Sequence, residues 1–396
     1  ERFPPIRHAG MIARLRVARR PCESSAMAGV RGNKLLKSLD RFAGIPLVSL
    51  LGTLPKRRAP ASSDVRRIGL MKTAAIGDTL LLSGLFDDVR RAFPTATLIA
   101  ITGADNAAAA RLLPDRIDEQ IVISPKHPLS AIASVRAANL DILIDFGAWP
   151  RFDAIVAALS GARFRIGFRT RGQSRHAAYD ATIDHATDAH ERQNYVHLLT
   201  LIDVDSRSVA GIAPPRSLDR SRVPSEPFAV LHPWSGGYLH ERKEWPTARW
   251  IALAHELVDR GMRVLLSGGP SERDASAQLA RDMSVAGIQV TDIAAQFTLA
   301  ELADLFAAGA CVVSVNTGVA HLAGLVGAPT ISLEGPTPPV RWRPLGERVR
   351  CVETTYPNCG FLDLGFEYSG NRDDCMDGIS VDAVVSAIGD LIGARR

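Results

Sequence analysis

Three loops in this sequence gather residue types that could do chemistry. In MKTAAIGDTLLLSG, residues 71–84, Gly77 and Asp78 close an apolar run and open a helical one. An Asp at that position can cap the helix by accepting a backbone N–H bond, and it suits the positive helix end. The same carboxylate at a cleft could act as a general base toward an acceptor hydroxyl. Both roles are open on the residues alone. A helix N-terminus makes a carboxylate a weaker base, so the catalytic role requires a transition state that generates most of the acidity itself. Glycosyl transfer through an oxocarbenium-like centre does so. Lys72 and Thr73, just ahead of Asp78, are the candidate acceptor contacts.

The second loop, HPWSGGYLHERKEWP (232–246), offers Ser235, Gly236 and Gly237, whose backbone N–H groups could approach an anion, with Arg242 and Lys243 supplying charge. Its spacing is not that of the phosphate loop GxxxxGK[ST], because the Lys lies beyond the loop. A solvated glycine turn with a surface lysine accounts for it equally well. The third loop, SVNTGVAHLAGLVGAPT (314–330), places Asn316 or Thr317 as a helix cap, Gly318 at the helix mouth and His321 one turn in. Orphan N–H groups plus the dipole make this a ready anion site; an ordinary strand-to-helix turn with a half-buried histidine is the plainer alternative. Weaker signals are the Asp203/Asp205 pair, read as surface acid, and Arg341 and Arg343 around Trp342, which could clamp an anionic acceptor or simply pack. Cys359 and Cys375 could meet, but two thiols without histidine partners make a poor zinc site.

The elements that must position these loops alternate. Strand-like runs IGLM, TLIAIT, EQIVIS and DILIDF are separated by helical stretches at 78–93, 107–113 and 129–138, with further units to about residue 201. After a Pro/Ser/Arg-rich connection at 206–227, the alternation restarts with FAVLHP, MRVLLSGG, IQVTDI, CVVSVN and PTISLEG, interleaved with helices at 247–260, 272–283, 299–307 and 318–326. Alternating units of this kind mean parallel sheets with right-handed crossovers, so the expected fold is α/β with two Rossmann-like domains facing across a cleft. Ligands in such sheets sit beyond the carboxyl ends of the strands, where all three loops fall. The expected domains are 67–205 and 228–396, joined by the connection at 206–227. No GxGxxG follows a strand with an acid about 20 residues on, which disfavours a nicotinamide dehydrogenase.

The 396 residues suit two domains, and no apolar run is long enough to span a membrane. Residues 1–67 carry fifteen Lys and Arg against four acids, so the overall charge of +5 leaves the remainder net acidic. The basicity belongs to an N-terminal arm, residues 1–66, which argues against nucleic acid in the folded body and for an anionic phospholipid surface facing the arm. Within it, residues 33–58 combine helically spaced Leu35, Leu36, Leu39 and Phe42 with an uncharged stretch from 42 to 55 and then Lys56, Arg57 and Arg58. That pattern fits a helix lying in the membrane interface, or equally one docked on the domain body. Five cysteines, an odd and sparse set without CxxC, fit a reducing cytoplasmic setting.

Taken together, IGLMKTAAIGDTLLLSGLFDDVRRAFPTATL, LHPWSGG with RKEWP, and TLAELADLFAAGACVVSVNTGVAHLAGLVGAPTISLEGPTPP resemble glycosyltransferase family 9, the ADP-heptose:lipopolysaccharide heptosyltransferases and relatives, over roughly residues 65–392. The resemblance implies a GT-B fold and inverting transfer without a metal or other cofactor, from a nucleotide-sugar to a lipopolysaccharide-core or other glycolipid acceptor, at the inner face of the cytoplasmic membrane. It implies Asp78 as general base, Lys243 on the donor diphosphate with Ser235 and Gly236 beside it, Asp292 near the donor ribose or base, and Thr317, Gly318 and His321 as the diphosphate turn. It also implies a closing helix near 381–392. Two departures stand out. Asn316 occupies a position where most relatives carry Asp, which puts the donor sugar in question, and the cysteine cluster of many relatives is reduced to Cys359 and Cys375. UDP- or GDP-sugar transfer, or a non-catalytic scaffold of the same fold, are the competing readings.

Overall fold

The computed structural model describes residues 40, 42, 44–53, 55–113 and 116–393. The sequence-predicted amphipathic segment therefore lies only partly among the described residues. Its described helix, α1 (Gly44–Leu51), buries Val48 against the first domain and leaves Leu47 and Leu50 exposed, with Phe42 exposed just ahead of it.

The first domain is built on a six-stranded sheet: β1 (Arg67–Lys72), β2 (Thr97–Thr102), β3 (Glu119–Val122), β4 (Ile142–Asp145), β5 (Phe164–Arg169) and β6 (Ala181–Asp184). All neighbours are parallel, in the order β3-β2-β1-β4-β5-β6. Its helices are α2 (Ile76–Leu80), α3 (Ser83–Ala92), α4 (Ala107–Ala110), α5 (Pro128–Ala137), α6 (Arg151–Leu159) and α7 (Glu191–Leu199). Strands such as TLIAIT are almost wholly buried because helices cover both faces, which is why they read as unbroken apolar runs.

The second domain repeats the plan with β7 (Phe228–His232), β8 (Arg263–Leu266), β9 (Val290–Asp292), β10 (Cys311–Val315), β11 (Thr330–Glu334) and β12 (Val349–Glu353). Their order is β12-β11-β10-β7-β8-β9, again parallel throughout. Counted from its own first strand, this is the same order as the first sheet. The helices are α8 (Thr247–Asp259), α9 (Arg273–Val285), α10 (Leu299–Ala308), α11 (Gly318–Leu325), α12 (Pro339–Trp342) and α13 (Val381–Gly393), the last packing on α8 and β12.

Two elements differ from the sequence-based expectation. The helix expected over 78–93 is two helices: the chain turns at Leu81 and Leu82, α2 meets α11 of the other domain, and α3 buries Leu85, Phe86 and Val89. The edge strand β12 (VRCVE) alternates charged and apolar residues too briefly to register as a buried strand.

One hydrophobic core runs through both domains. It joins Leu80, Leu85 and Leu112 of the first to Phe306, Leu322 and Leu325 of the second, with Ile212 of the connecting segment between them. That segment is clasped at each end by one carboxylate. Asp88 on α3 accepts from the backbone N–H groups of Arg207 and Ser208 and the Ser206 hydroxyl, and Asp304 on α10 accepts from those of Arg216, Ser217 and Leu218.

Candidate functional site

In each sheet the strand order reverses at one place, between β1 and β4 and between β7 and β10. Crevices open at such points beyond the strand ends. The loops after β1, β7 and β10 are the three singled out by sequence, and the two crevices face one another because α2 packs on α11. The contact is glycine on glycine. A Cβ on Gly318 would come 2.9 Å from the Gly77 backbone nitrogen, and one on Gly77 would come 2.8 Å from the His321 ring. Two helix N-termini, one from each domain, therefore meet with Asp78 and His321 beside them.

Asp78 sits in the first turn of α2, and the cap position belongs to Ala75, which offers no side-chain bond. The capping role considered from sequence is thus not the one the fold uses. Asp78 instead pairs with Lys72 at 3.0 Å, both side chains largely buried. The Lys72 ammonium also donates to the Phe146 carbonyl at 3.1 Å and lies 5.3 Å from the centre of the Tyr195 ring. Lys72 is thereby fixed from three sides, and it fixes the carboxylate. Thr73, the next residue, donates its hydroxyl to the Asp153 carboxylate (2.9 and 2.7 Å). Asp153 belongs to a buried cluster in which Arg175 pairs with Asp145 at 2.6 Å, and Tyr179 donates to Asp145. Burial and the neighbouring Asp145 raise the Asp153 pKa to about 7.

On the opposite wall, Thr317 caps α11, its hydroxyl oxygen accepting from the Val319 N–H at 3.0 Å. The N–H groups of Gly318 and Ala320 in that first turn have no intrahelical partner. His321 is buried and its Nδ1 has no hydrogen-bond partner among the described residues. Burial, with His190 nearby, lowers its pKa to about 4, so the ring is neutral at pH 7. Asn316 donates its amide to both oxygens of Glu334 and to the Trp342 carbonyl.

The loop after β7 turns on Gly237, whose φ of +97° falls in the left-handed region that glycine adopts freely. Lys243 ends a short helical turn and donates to the Gly236 carbonyl at 2.8 Å, which folds the ammonium back over the loop. The Ser235 hydroxyl is buried without a hydrogen-bond partner among the described residues. Asp292 ends β9, where one of its oxygens accepts from the Ser276 hydroxyl and the Ala294 N–H. The donor-side candidates thus sit on strand ends of one sheet, and Asp78, Lys72 and Thr73 on the facing one.

Arg341 lies elsewhere in role. It is 1% exposed, pairing with Glu191 at 3.0 Å and Asp363 at 2.8 Å and donating to the Ala189 carbonyl, and so it clasps the domains together. Glu191 also contacts His185 at 2.9 Å; although burial opposes its charge, His185, Lys72 and Arg341 hold its carboxyl below the usual range. Asp205 pairs with exposed Arg207, as a surface acid does. Cys359 and Cys375 are joined in a disulfide, while Cys311 and Cys351 are free. Among the described residues no group of three His, Cys, Asp or Glu could hold a metal ion, and no helix is long and apolar enough to cross a membrane. Sequence reasoning missed Asp153, Tyr195, Glu191 and Glu334. Each reaches the site across a long sequence separation, and no local spacing marks them.

The profile of glycosyltransferase family 9 (heptosyltransferase) matches residues 129–360. Lipopolysaccharide heptosyltransferase 1 of Pseudomonas aeruginosa is 36% identical over 128 residues, 31% of this chain and 34% of that protein, so the match spans about a third of that relative's length. The protein of the same name from Escherichia coli K12 is 24% identical over 295 residues, covering 69% of this chain and 89% of its own. Among solved structures, E. coli ADP-heptose lps heptosyltransferase II superposes with a TM-score of 0.65 at 18% identity, over 83% of this chain and 99% of that one, a likeness of fold.

Proposed function

The chain belongs to glycosyltransferase family 9, and on that premise we propose that it is an inverting, metal-independent transferase that moves a heptose or related sugar from an ADP-sugar to a hydroxyl of a lipopolysaccharide core or other glycolipid. The observation that carries this reading is the meeting of α2 and α11, which brings Asp78 and the Thr317 turn to one place from opposite domains. The names of the relatives, which specify ADP-heptose and lipopolysaccharide, support the choice of donor and acceptor.

In this mechanism the acceptor hydroxyl loses its proton to Asp78 while its oxygen bonds to the anomeric carbon from the face opposite the diphosphate. The bond from that carbon to the diphosphate oxygen breaks, and its electron pair leaves on ADP. Lys243, the α11 N–H groups and the dipole behind them meet the growing charge, as a metal does in other transferases. Ser235 assists at the diphosphate, Asp292 lies toward the ribose or base, and Lys72 and Thr73 border the acceptor. Arg341, committed to Glu191 and Asp363, holds the domains rather than the acceptor. The acceptor is met at the inner face of the cytoplasmic membrane, where the exposed Leu47 and Leu50 of α1 are the lipid contact; Lys56 and Arg57 beyond it donate to the Ala177, Tyr179 and Ala162 carbonyls and tie the segment to the domain.

The deciding measurement is thermal stabilisation by ADP, UDP and GDP, each with EDTA and with magnesium. A ligand at 100 times its dissociation constant adds about 2.7 kcal/mol. Selective stabilisation by ADP in EDTA is the expected result. A preference for UDP or GDP would replace the donor, a requirement for magnesium would replace the metal-free mechanism, and no shift at all would leave a scaffold.

A further inference from the structure

Glu334 is a buried carboxylate, 1% exposed, at the end of β11, and it plays no part in the chemistry above. Its known partners are neutral donors. The Ser332 hydroxyl donates to it at 2.6 Å, and the Asn316 Nδ2 lies 2.9 Å from each of its oxygens. The same Nδ2 donates to the Trp342 carbonyl at 3.0 Å. A primary amide has two N–H bonds and one carbonyl oxygen. Glu334 and Trp342 take both N–H bonds, so the amide cannot flip without placing its oxygen against a carboxylate. The Asn316 Oδ1 is left as an acceptor, bonded to no described residue, one position before the Thr317 cap where the diphosphate turn begins.

Resting on the donor site described above, we propose that Glu334 is a specificity-determining positioning residue: it locks Asn316 so that the amide shows only its oxygen to the donor, selecting a sugar that offers a hydroxyl hydrogen there. A free asparagine presents either a donor or an acceptor edge and selects neither. An acceptor-only edge favours a hydroxyl-bearing sugar and disfavours a group without a hydrogen to give, because a buried polar atom left unpaired is costly. The lock holds in either protonation state of Glu334, since at least one of its oxygens still accepts from Nδ2.

Exchanging the chemistry of the pair tests this. In E334M no oxygen is left to accept from the Asn316 N–H, releasing the lock; in N316D two carboxyl groups abut. In the double variant N316D/E334Q the glutamine donates to the aspartate, and an acceptor edge again faces the donor. Dissociation constants for ADP and for ADP-heptose are measured on all four proteins by calorimetry. The expectation is ADP affinity within about twofold throughout, which also reports folding. ADP-heptose affinity falls about tenfold in each single variant, about 1.4 kcal/mol, and returns to within about threefold of wild type in the double variant. Unchanged ADP-heptose affinity in E334M, or a double variant no better than the singles while ADP still binds, overturns the proposal alone. Wild-type protein that binds neither ligand overturns the functional reading, and this inference with it.

Discussion

Asp78 is held before any substrate arrives. Its partner Lys72 is tied to the Phe146 carbonyl and lies beside Tyr195, so the carboxylate has one stable orientation. Asp78→Asn keeps the shape and a contact with Lys72 but cannot take a proton. Turnover should fall about 100- to 10,000-fold, the usual cost of losing a general base, with the melting temperature little changed. Near wild-type kcat in the folded variant would remove Asp78 from the mechanism. At this scale the sequence was legible wherever a residue's role is local: Thr317 caps α11, and Lys243 folds over its glycine loop. It was illegible where the partner is distant. Nothing in the spacing of Thr73 announces Asp153, eighty residues on, or ties Asn316 to Glu334 on the next strand.

Helices α2 and α11 are short, and they matter for where they touch. A methyl group at Gly318 has no room against Ile76 and the Gly77 backbone, so Gly318→Ala must push the two N-termini apart. Displacements near 1 Å at reacting groups cost on the order of 100-fold in rate. Gly318→Ala should therefore lower kcat/KM about 10- to 100-fold in a protein that still melts cooperatively, and unchanged kinetics would show that the contact does not set the active geometry. Helix α1 makes a different demand. Val48 faces inward, and Asp40 ahead of it accepts from the Arg151 and Phe152 N–H groups at the start of α6. Substituting Leu47 and Leu50 by Glu leaves those anchors intact. Binding to vesicles containing anionic lipid should drop at least tenfold, and full retention would exclude this face as the contact. The strands and most helices were readable from their apolar runs, whereas the break between α2 and α3 was not, because it serves a partner in the other domain.

Across the whole molecule, the domains are joined by buried charge as well as by apolar packing. Arg341→Gln would strand Glu191 and Asp363, and losing one partner of a buried pair typically costs about 3–5 kcal/mol. A clear fall in melting temperature is expected, and a variant as stable as wild type would show the clasp to be dispensable. Acid should also weaken the fold. His232 and His321 both have pKa values lowered by burial to about 4, against 6.5 in the unfolded chain. The unfolded chain therefore binds their protons first, so their contribution is full above about pH 6.5 and is lost as pH falls toward 4. Calorimetry between pH 7.5 and 4.5 should show that decline, flattened in His232→Gln; an unflattened curve would take His232 out of the account. Two parallel α/β units were foreseeable from the alternation of elements. That both sheets share one strand order, and that their interiors join, is decided by packing between residues hundreds of positions apart.

That shared interior limits how the enzyme breathes. Halves that bury Leu80, Phe306 and Leu322 in one apolar mass cannot swing apart widely without wetting it, so opening as two rigid jaws carries the cost of exposing that shared surface. Passage of donor and product then falls to the rim, where Trp149 of one domain meets Phe366 of the other at 5.7 Å. Amide exchange would reveal the difference: β1 and β10 protected to the same extent and released together, while the rim segments around residues 149 and 366 exchange orders of magnitude sooner.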